Sequence, residues 1–472
     1  MKKLLMIFIS IVLILSIAGC ASKENEIETS SATETVPSES QSAVTDNWDF
    51  YNERAEVFVT AMASSDFDAA VDMLDTTMKQ ALPAPTLEDN VWKVIIEQVG
   101  AFIGVYDIEN SVIGGYYVCF VTSQHESRGV TLRVVFSEDG LVAGLFIDGY
   151  PVIAGEVAEH EGFTDSAVVI GEGTNYPLNG VLSIPDNIVG KMPAVVLVHG
   201  SGPQDKDETI NSNKPFRDIS EYLAANGIAV IRYDKRTFTY GAEIVEELGS
   251  SLTVKEETIE DAILASEILK SDPRIDEDKV YILGHSLGGM LAPRIHASGG
   301  DFAGIISLAG SPRSLLDIIY DQQMASIDVL PKGDEKTAAL SQVETYVEQV
   351  ETLKSLSDDE AKNTLILNGL CAYYFKEMED HPVSEYIDGM TVPFLVLQGD
   401  KDFQVYPDKD FVMWQELLKG RENVTFKLYE GLNHLFMPSS GKNITEYQEE
   451  YRVESQMDSQ VLLDIMEWIK AN

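Results

Sequence analysis

The sequence predicts an α/β fold with a mostly parallel central sheet flanked by helices, preceded by a small α+β domain. Two patterns lead to this prediction. From about residue 160 onward, apolar strands alternate with amphipathic helices, and near-continuous apolar strands are typical of a parallel sheet buried on both faces. Residues 48–150 instead show helical spacing followed by alternating strand segments, which is typical of a separate α+β unit.

Length and charge limit the classes of protein and partner. The chain has 472 residues, too many for one ordinary core, so two domains with additional segments are expected. It carries 34 basic and 77 acidic residues, a net charge of −43. Such a surface repels nucleic acid and anionic lipid, so neither is expected to be held electrostatically. We interpret the acidity as a source of solubility outside the cell.

The first 20 residues predict export. In MKKLLMIFISIVLILSIAGC, two lysines precede an apolar run from Leu4 to Ala18. This run is shorter than the roughly 20 residues of a spanning helix, and it therefore predicts a signal peptide. Residues 17–20 resemble the lipobox of bacterial lipoproteins. That resemblance implies a signal peptide at 1–19, acyl chains such as palmitate on Cys20, and an extracytoplasmic protein anchored to the bacterial cell membrane. The alternative is an ordinary secretory cleavage site with a chance cysteine.

Two segments precede the main sheet. Residues 20–47 are rich in Ser, Thr and Glu, which predicts a flexible tether because they bury too little apolar surface to fold. In 48–150, helical segments precede the stretch YYVCFVTSQHESRGVTLRVVFSEDGLVAGLFI, which predicts antiparallel strands. This domain resembles a small domain of unknown role found ahead of some secreted hydrolases, and it contains no residues with catalytic spacing.

The main domain is predicted to span 160–472. Its predicted strands are SAVVIG, LNGVLSIP, PAVVLVHG, IAVIRYD, VYILG, FAGIISLAG, VPFLVLQG and VTFKLYEG, with helices between most of them and at the chain end. Between residues 311 and 390 the alternation stops and the sequence predicts helices only. An all-helical insert between two strands of a sheet is a candidate lid; the alternative is an insertion remote from any site.

One serine lies in a pattern typical of a nucleophile. Residues 284–288, Gly-His-Ser-Leu-Gly, follow a predicted strand and precede a predicted helix. The strand-to-helix turn is so tight that small residues must flank the serine. We expect Ser286 Oγ to project from the carboxyl edge of the sheet, at the positive end of a helix. The five-residue pattern is weak alone and strong in this context.

An ordered series of motifs identifies the family. The segments HGSGPQDKDETI, NKPFRDIS, IAVIRYDKR, GHSLGG and YEGLNHLF occur in this order within 160–472. The series resembles the dienelactone-hydrolase and serine-aminopeptidase-like branch of the α/β-hydrolase superfamily. The resemblance implies an α/β-hydrolase fold and a serine hydrolase that needs no metal or organic cofactor.

A serine hydroxyl needs a base, and that base needs an orienting acid. His434 is the one histidine of seven that follows the late strand where such a base is expected. From the residues alone, either Asp400 or Asp402 can serve as the acid, and Asp400 can instead cap the turn. The superfamily carries G-x-x-D at this place, which implies Asp402 after Gly399.

The oxyanion of an acyl-transfer intermediate needs backbone donors. The N–H of Leu287, just after the serine, is one candidate. The second is expected from residues 199–202, where an early strand breaks into a glycine loop, with Ser201 N–H preferred and Gly200 N–H as the alternative.

The predicted function is a cell-surface serine esterase. It acts on small-molecule carboxylic esters through an acyl-enzyme and touches the membrane only through its lipid anchor. The alternatives are an aminopeptidase, amidase or thioesterase on the same triad, or a non-catalytic surface binding lipoprotein. The sequence makes no prediction of the oligomeric state or of the acyl group.

Overall fold

In the computed structural model, residues 48–113, 116–125, 129–137, 139–149, 157–186, 188–367, 369–441 and 444–472 are described. They divide into two units, one ending at residue 149 and the other beginning at 157. The predicted signal peptide, Cys20 and the tether lie outside the described residues. Within the described part of the chain, no helix combines the length and the apolar character needed to cross a membrane.

The smaller unit is α+β, as predicted. Its helices are α1 (Trp48–Ala63), α2 (Phe67–Asp72), α3 (Thr76–Ala81), α4 (Ala84–Leu87) and α5 (Lys93–Val99), with a π-helical turn at Glu88–Trp92. An antiparallel sheet follows, in the order β1 (Phe102–Ile113), β2 (Tyr116–His125), β3 (Gly129–Phe136) and β4 (Val142–Gly149). Apolar side chains of α1, such as Phe58 and Met62, pack with those of β2 and β3 into one core.

Strand β1 was not predicted from the sequence. Its pairing with β2 is irregular, with register shifts between Phe102 and Gly104 and between Val105 and Asp107. Such irregularities interrupt the alternation of apolar and polar residues by which a half-buried strand is recognised.

The larger unit contains a nine-stranded sheet, whose strands are β5 (Val157–His160), β6 (Phe163–Ile170), β7 (Leu178–Pro185), β8 (Met192–Val198), β9 (Ala229–Tyr233), β10 (Ile275–His285), β11 (Ile305–Leu308), β14 (Phe394–Gly399) and β15 (Val424–Tyr429). The spatial order is β15-β14-β11-β10-β8-β9-β7-β6-β5. Strands β9, β8, β10, β11, β14 and β15 are parallel to one another, and β5, β6 and β7 complete the sheet with antiparallel pairings. This is the mostly parallel sheet of an α/β-hydrolase fold, and the carboxyl ends of its parallel strands meet at one edge.

Helices cover both faces of the sheet. Helices α6 (Pro215–Ala225) and α18 (Ser459–Ala471) pack on one face, and α9 (Glu260–Ser271), α10 (Leu287–Ile295) and α16 (Val412–Leu417) pack on the other. Helices α7 (Arg236–Thr239), α8 (Gly241–Glu247) and α17 (Ile444–Glu450) also lie outside the insert. Successive side chains of β8 alternate between two cores: Val196 and Val198 pack with α9 and α10, whereas Val195 and Leu197 pack with α6 and α18. Burial on both faces explains the near-continuous apolar sequence of the strands.

The predicted insert at 311–390 is not helical throughout, which corrects the sequence analysis. It contains α11 (Leu315–Asp328), α12 (Asp334–Leu353), α13 (Asp358–Lys362), α14 (Ala372–Asp380) and α15 (Val383–Ile387). Between α13 and α14 lies an antiparallel pair of two-residue strands, β12 (Leu365–Ile366) and β13 (Leu370–Cys371). Strands this short carry no periodicity that a sequence can reveal.

Candidate active site

Ser286 lies at a strained turn between β10 and α10. Its backbone has φ +53° and ψ −115°, a conformation that L-residues rarely adopt. Its N–H donates to Leu308 O at 2.9 Å, and its C=O accepts from Met290 N–H at 3.0 Å. Strain of this kind in a residue other than glycine is typical of a functional site.

Close backbone approaches explain the two glycines that flank the serine. A Cβ at position 284 would lie 2.1 Å from Gly288 O, and a Cβ at position 288 would lie 2.2 Å from Val198 O. Real Cβ contacts are essentially never this short, so any side chain would displace the backbone. The glycines therefore bring α10 against β8 and fix the direction of the serine.

His434 and Asp402 form a buried pair. His434 Nδ1 lies 2.7 Å from Asp402 Oδ2, and the two residues are 3% and 4% exposed. Asp402 follows β14, and His434 lies on the loop after β15. In that loop, Asn433 Oδ1 accepts hydrogen bonds from Leu435 N–H and Met437 N–H. The fold thus joins two loops that are 32 residues apart in the chain.

The contacts of the two candidate aspartates differ. Asp402 Oδ1 accepts from the N–H groups of Gln404 and Val405 at 2.8 and 2.9 Å, and its Oδ2 also accepts from Gln398 Nε2 at 2.7 Å. Asp400 Oδ1 instead accepts from Gly431 N–H at 2.6 Å, which is the turn-capping alternative. The structure therefore brings Asp402, and not Asp400, to the histidine.

His434 contacts His285, the residue that precedes Ser286. His285 Nε2 lies 3.0 Å from His434 O, and the centroids of the two rings are 4.7 Å apart. Within the described residues, no hydrogen bond joins Ser286 Oγ to His434. Catalytic hydrogen bonds are often long or poorly aligned until substrate is bound.

The loop after β8 lies against Ser286. A Cβ at Gly200 would be 3.2 Å from Ser286 Cβ. Gly200 N–H donates to Glu208 Oε1 at 2.7 Å, so it is not available to an oxyanion. Ser201 and Leu287 line the same pocket as Ser286, and the N–H of Leu287, as the first residue of α10, has no partner within the helix.

Buried charges surround this loop. Glu208 Oε2 lies 2.9 Å from His285 Nδ1, and the two groups form an ion pair when His285 is protonated. Burial alone would lower the pKa of His285, but the Glu208 carboxylate outweighs it and raises that pKa. Burial would likewise raise the pKa of Glu208, yet His285 lowers it.

The two histidines at strand ends, His199 and His285, contact loop backbone. His285 contacts His434 O, and His199 Nε2 lies 2.9 Å from Asp205 O. Burial lowers the pKa of His199 to about 4, which keeps this ring neutral at pH 7.

The pocket at the serine has a mixed lining of apolar and uncharged polar side chains, without a charged side chain among the described residues that form it. It encloses about 550 Å³ of empty space, part of it open to solvent. Its walls are Ser201, Ser286, Leu287, Met290, Ser311, Leu315, Ile318, Ile319, Gln322, Gln404 and Val405. Helix α11 of the insert supplies four of these, Leu315, Ile318, Ile319 and Gln322. The insert thus forms one wall of the pocket and is not remote from the site.

Sequence reasoning missed two charged residues beside the site. Glu208, 1% exposed, contacts Gly200 and His285. Lys235, 2% exposed, donates to Gly200 O at 2.9 Å. The segments that contain them were noted only as family signatures, and nothing in their local pattern marks either residue as buried.

Comparisons with known proteins agree with this architecture. The family model described as "Serine aminopeptidase, S33" matches residues 192–438, and one described as "Protein of unknown function (DUF3887)" matches residues 55–145. The chain is 33% identical over 423 residues to esterase EstD from Thermotoga maritima, covering 89% of this chain and 95% of that protein.

Solved structures give weaker matches. Est1E from Butyrivibrio proteoclasticus is 18% identical, with a TM-score of 0.39 and coverage of 65% of this chain and 99% of the other. The esterase Pf2001 from Pyrococcus furiosus is 16% identical, with a TM-score of 0.39 and coverage of 68% and 99%.

Proposed function

The chain belongs to the serine aminopeptidase S33 family of α/β hydrolases, and on that premise we propose that it is a serine esterase with Ser286, His434 and Asp402 as its catalytic triad. The buried contact between His434 and Asp402, together with the strained turn at Ser286, carries the proposal. The esterase relative, which aligns over most of the chain, supports ester hydrolysis as the reaction.

The proposed reaction proceeds through an acyl-enzyme. Ser286 Oγ attacks the ester carbonyl carbon while His434 Nε2 takes the hydroxyl proton. Asp402 holds the Nδ1–H tautomer and stabilises the imidazolium that forms. The tetrahedral oxyanion receives hydrogen bonds from the N–H groups of Leu287 and Ser201. It then collapses, the C–O bond to the alcohol breaks, and His434 returns the proton to the leaving alkoxide.

A water molecule then completes the cycle. His434 takes a proton from the water, whose oxygen attacks the acyl carbon of the Ser286 ester. The second tetrahedral intermediate collapses to the free acid, and the proton returns to Ser286 Oγ. The same two donors and the same base serve both halves of the reaction.

The pocket favours esters over aminopeptidase substrates. An aminopeptidase must bind a charged N-terminus, and that cation needs a carboxylate when it leaves water. No charged side chain is among the described residues that line the pocket. Apolar walls such as Met290, Ile318 and Ile319 instead suit an uncharged acyl group.

The test uses Ser286→Ala, with Ser311→Ala as the matched control from the same pocket. We expect Ser286→Ala to lower kcat for p-nitrophenyl esters by about 10⁶-fold and to abolish labelling by a fluorophosphonate probe. Ser311→Ala should still be labelled at Ser286. Substantial activity in Ser286→Ala, or labelling of another residue, would exclude the triad. Faster hydrolysis of aminoacyl-anilides than of esters of graded chain length would support the peptidase alternative.

The proposed location is the outer side of the bacterial membrane, with acyl chains on Cys20. The lipobox-like residues 17–20 and the apolar run before them support this proposal. Two acyl chains anchor a protein firmly, whereas one chain alone binds only marginally. A net charge of −43 gives no attraction to anionic lipid that would replace the anchor.

A further inference from the structure

Both polar groups of Gly200 are held by buried, oppositely charged side chains. Its N–H donates to Glu208 Oε1 at 2.7 Å, and its C=O accepts from Lys235 Nζ at 2.9 Å. Hydrogen bonds to charged groups are roughly twice as strong as neutral ones. The peptide planes on both sides of Gly200 are therefore fixed before any substrate arrives.

The second of these planes carries the proposed oxyanion donor. The carbonyl of Gly200 and the N–H of Ser201 belong to one peptide unit, and no cis peptide occurs among the described residues. In a trans peptide the C=O and N–H point in opposite directions. Lys235 therefore turns the Ser201 N–H away from itself, and Ser201 lines the pocket that contains Ser286.

Lys235 also acts on the strength of this donor. A cation bound at a carbonyl polarises the peptide, and hydrogen bonds in a chain reinforce one another in a buried setting. The Ser201 N–H thereby becomes a better donor to a developing negative charge. A donor that is already oriented needs no reorganisation when the charge forms.

The lysine is held in turn by the insert. Lys235 Nζ lies 2.7 Å from Glu257 Oε1, and Glu257 Oε2 accepts from Tyr374 Oη at 2.5 Å. Tyr374 belongs to α14 of the insert. Burial, together with the adjacent Glu257, raises the pKa of Tyr374 well above its ordinary value, so the phenol keeps the proton that it donates.

We propose that Lys235 is a positioning residue of the oxyanion hole, which orients and polarises the Gly200–Ser201 peptide. Glu208 fixes the preceding peptide, between residues 199 and 200. Glu257 and Tyr374 link Lys235 to the insert. The proposal rests on the proposed esterase function. It predicts that these residues affect the transition state rather than the binding of the ester.

The main test is Lys235→Met combined with Glu257→Gln, which removes both members of the buried ion pair and leaves no unpaired charge. The control is Lys270→Met, because Lys270 Nζ also donates to a glycine carbonyl, Gly300 O, at 2.7 Å but lies outside the site. Initial rates for p-nitrophenyl butyrate give kcat and KM per active site titrated with a fluorophosphonate. Inhibition by a trifluoromethyl ketone, which binds serine as an oxyanion, gives Ki.

We expect the double variant to lose about 10- to 100-fold in kcat, because removal of one oxyanion donor costs about 10²–10³ and a misoriented donor costs less. KM should change by less than about threefold, and the trifluoromethyl ketone Ki should rise by the same factor as kcat falls. Lys270→Met should keep both values. An unchanged kcat, a loss confined to KM, or an unchanged Ki would overturn the proposal.

If the lysine variant does not fold, a second pair of variants tests the proposal through Glu208, which fixes the peptide before the Gly200–Ser201 unit. Glu208→Ala removes the acceptor of Gly200 N–H, whereas Glu208→Gln keeps an oxygen at that place. We expect Glu208→Gln to retain at least tenfold more kcat than Glu208→Ala, with the same order in trifluoromethyl ketone affinity. Equal values for the two variants would contradict the proposal.

The two proposals fail in different ways. If Ser286→Ala remains active, the esterase triad is wrong whatever the lysine variant does. If Ser286→Ala is inactive and the double variant retains full kcat and inhibitor affinity, only the role of Lys235 is refuted.

Discussion

Replacement of Asp402 by asparagine has a consequence that the hydrogen bonds define. Asp402 Oδ1 faces two backbone N–H donors, and Oδ2 faces Gln398 Nε2 and His434 Nδ1. An asparagine keeps its carbonyl oxygen toward the two N–H groups, because the reverse orientation would place its amide hydrogens against them. The amide nitrogen then faces His434 and cannot accept a hydrogen bond.

The histidine responds by changing its tautomer. His434 relieves the clash by presenting an unprotonated Nδ1 to the asparagine amide, which places its proton on Nε2. A protonated Nε2 cannot take the proton of Ser286. We therefore expect kcat to fall by about 10³–10⁴-fold, which corresponds to about 4–5.5 kcal/mol of transition-state stabilisation.

Asp400→Asn is the matched control. Asp400 Oδ1 accepts one backbone hydrogen bond, from Gly431 N–H, and an asparagine oxygen can accept the same bond. Its carboxylate is partly exposed, so loss of its charge costs little. We expect Asp400→Asn to keep kcat within about threefold of the wild type.

The assay is hydrolysis of p-nitrophenyl butyrate at pH 8, with each variant checked for folding by its thermal midpoint. Equal losses in the two variants would show that the turn, rather than the tautomer of His434, is what matters. A larger loss in Asp400→Asn would transfer the role of the acid to that residue.

Three further predictions concern Gly288, the pair of Glu208 and His285, and Cys20. Gly288→Ala would place a Cβ 2.2 Å from a backbone oxygen of β8. We therefore expect the free energy of unfolding to fall by about 1–3 kcal/mol or more and esterase activity to be lost. In the control Gly104→Ala, the new Cβ meets nothing within 4 Å, so both the stability and the activity should be unchanged. The pair of Glu208 and His285 should stabilise the fold most between pH 4.5 and 6.5, which are the ordinary pKa values of the two groups. The stabilisation is lost as the pH rises through the raised pKa of His285, and it is also lost as the pH falls through the lowered pKa of Glu208. Urea titrations of wild type and Glu208→Gln across pH should therefore differ most in that window; a constant difference would contradict the linkage. Cys20→Ser should release the protein from membranes into the aqueous phase of a detergent phase-separation assay, and a variant that stays membrane-bound after signal cleavage would refute the anchor.

The sequence alone predicted the fold class, which is confirmed, the strand-to-helix turn at Ser286, and His434 as the candidate base. These features depend on neighbouring residues or on order along the chain. Apolar runs report burial on both faces of a sheet, and small residues around a serine report a tight turn. Strand β1 was not predicted in this way, because its register shifts break the alternation of apolar and polar residues that indicates a half-buried face.

Only the tertiary structure decided which polar groups meet. Asp400 and Asp402 share one loop and one residue type, and the choice depends on which carboxylate reaches a histidine 32 residues away. Gly200 and Lys235 are 35 residues apart, and their contact forms because β8 and β9 are paired in the sheet. Periodicity reports how much of a side chain is buried, whereas the partner of a buried charge is set by contacts between segments distant in sequence.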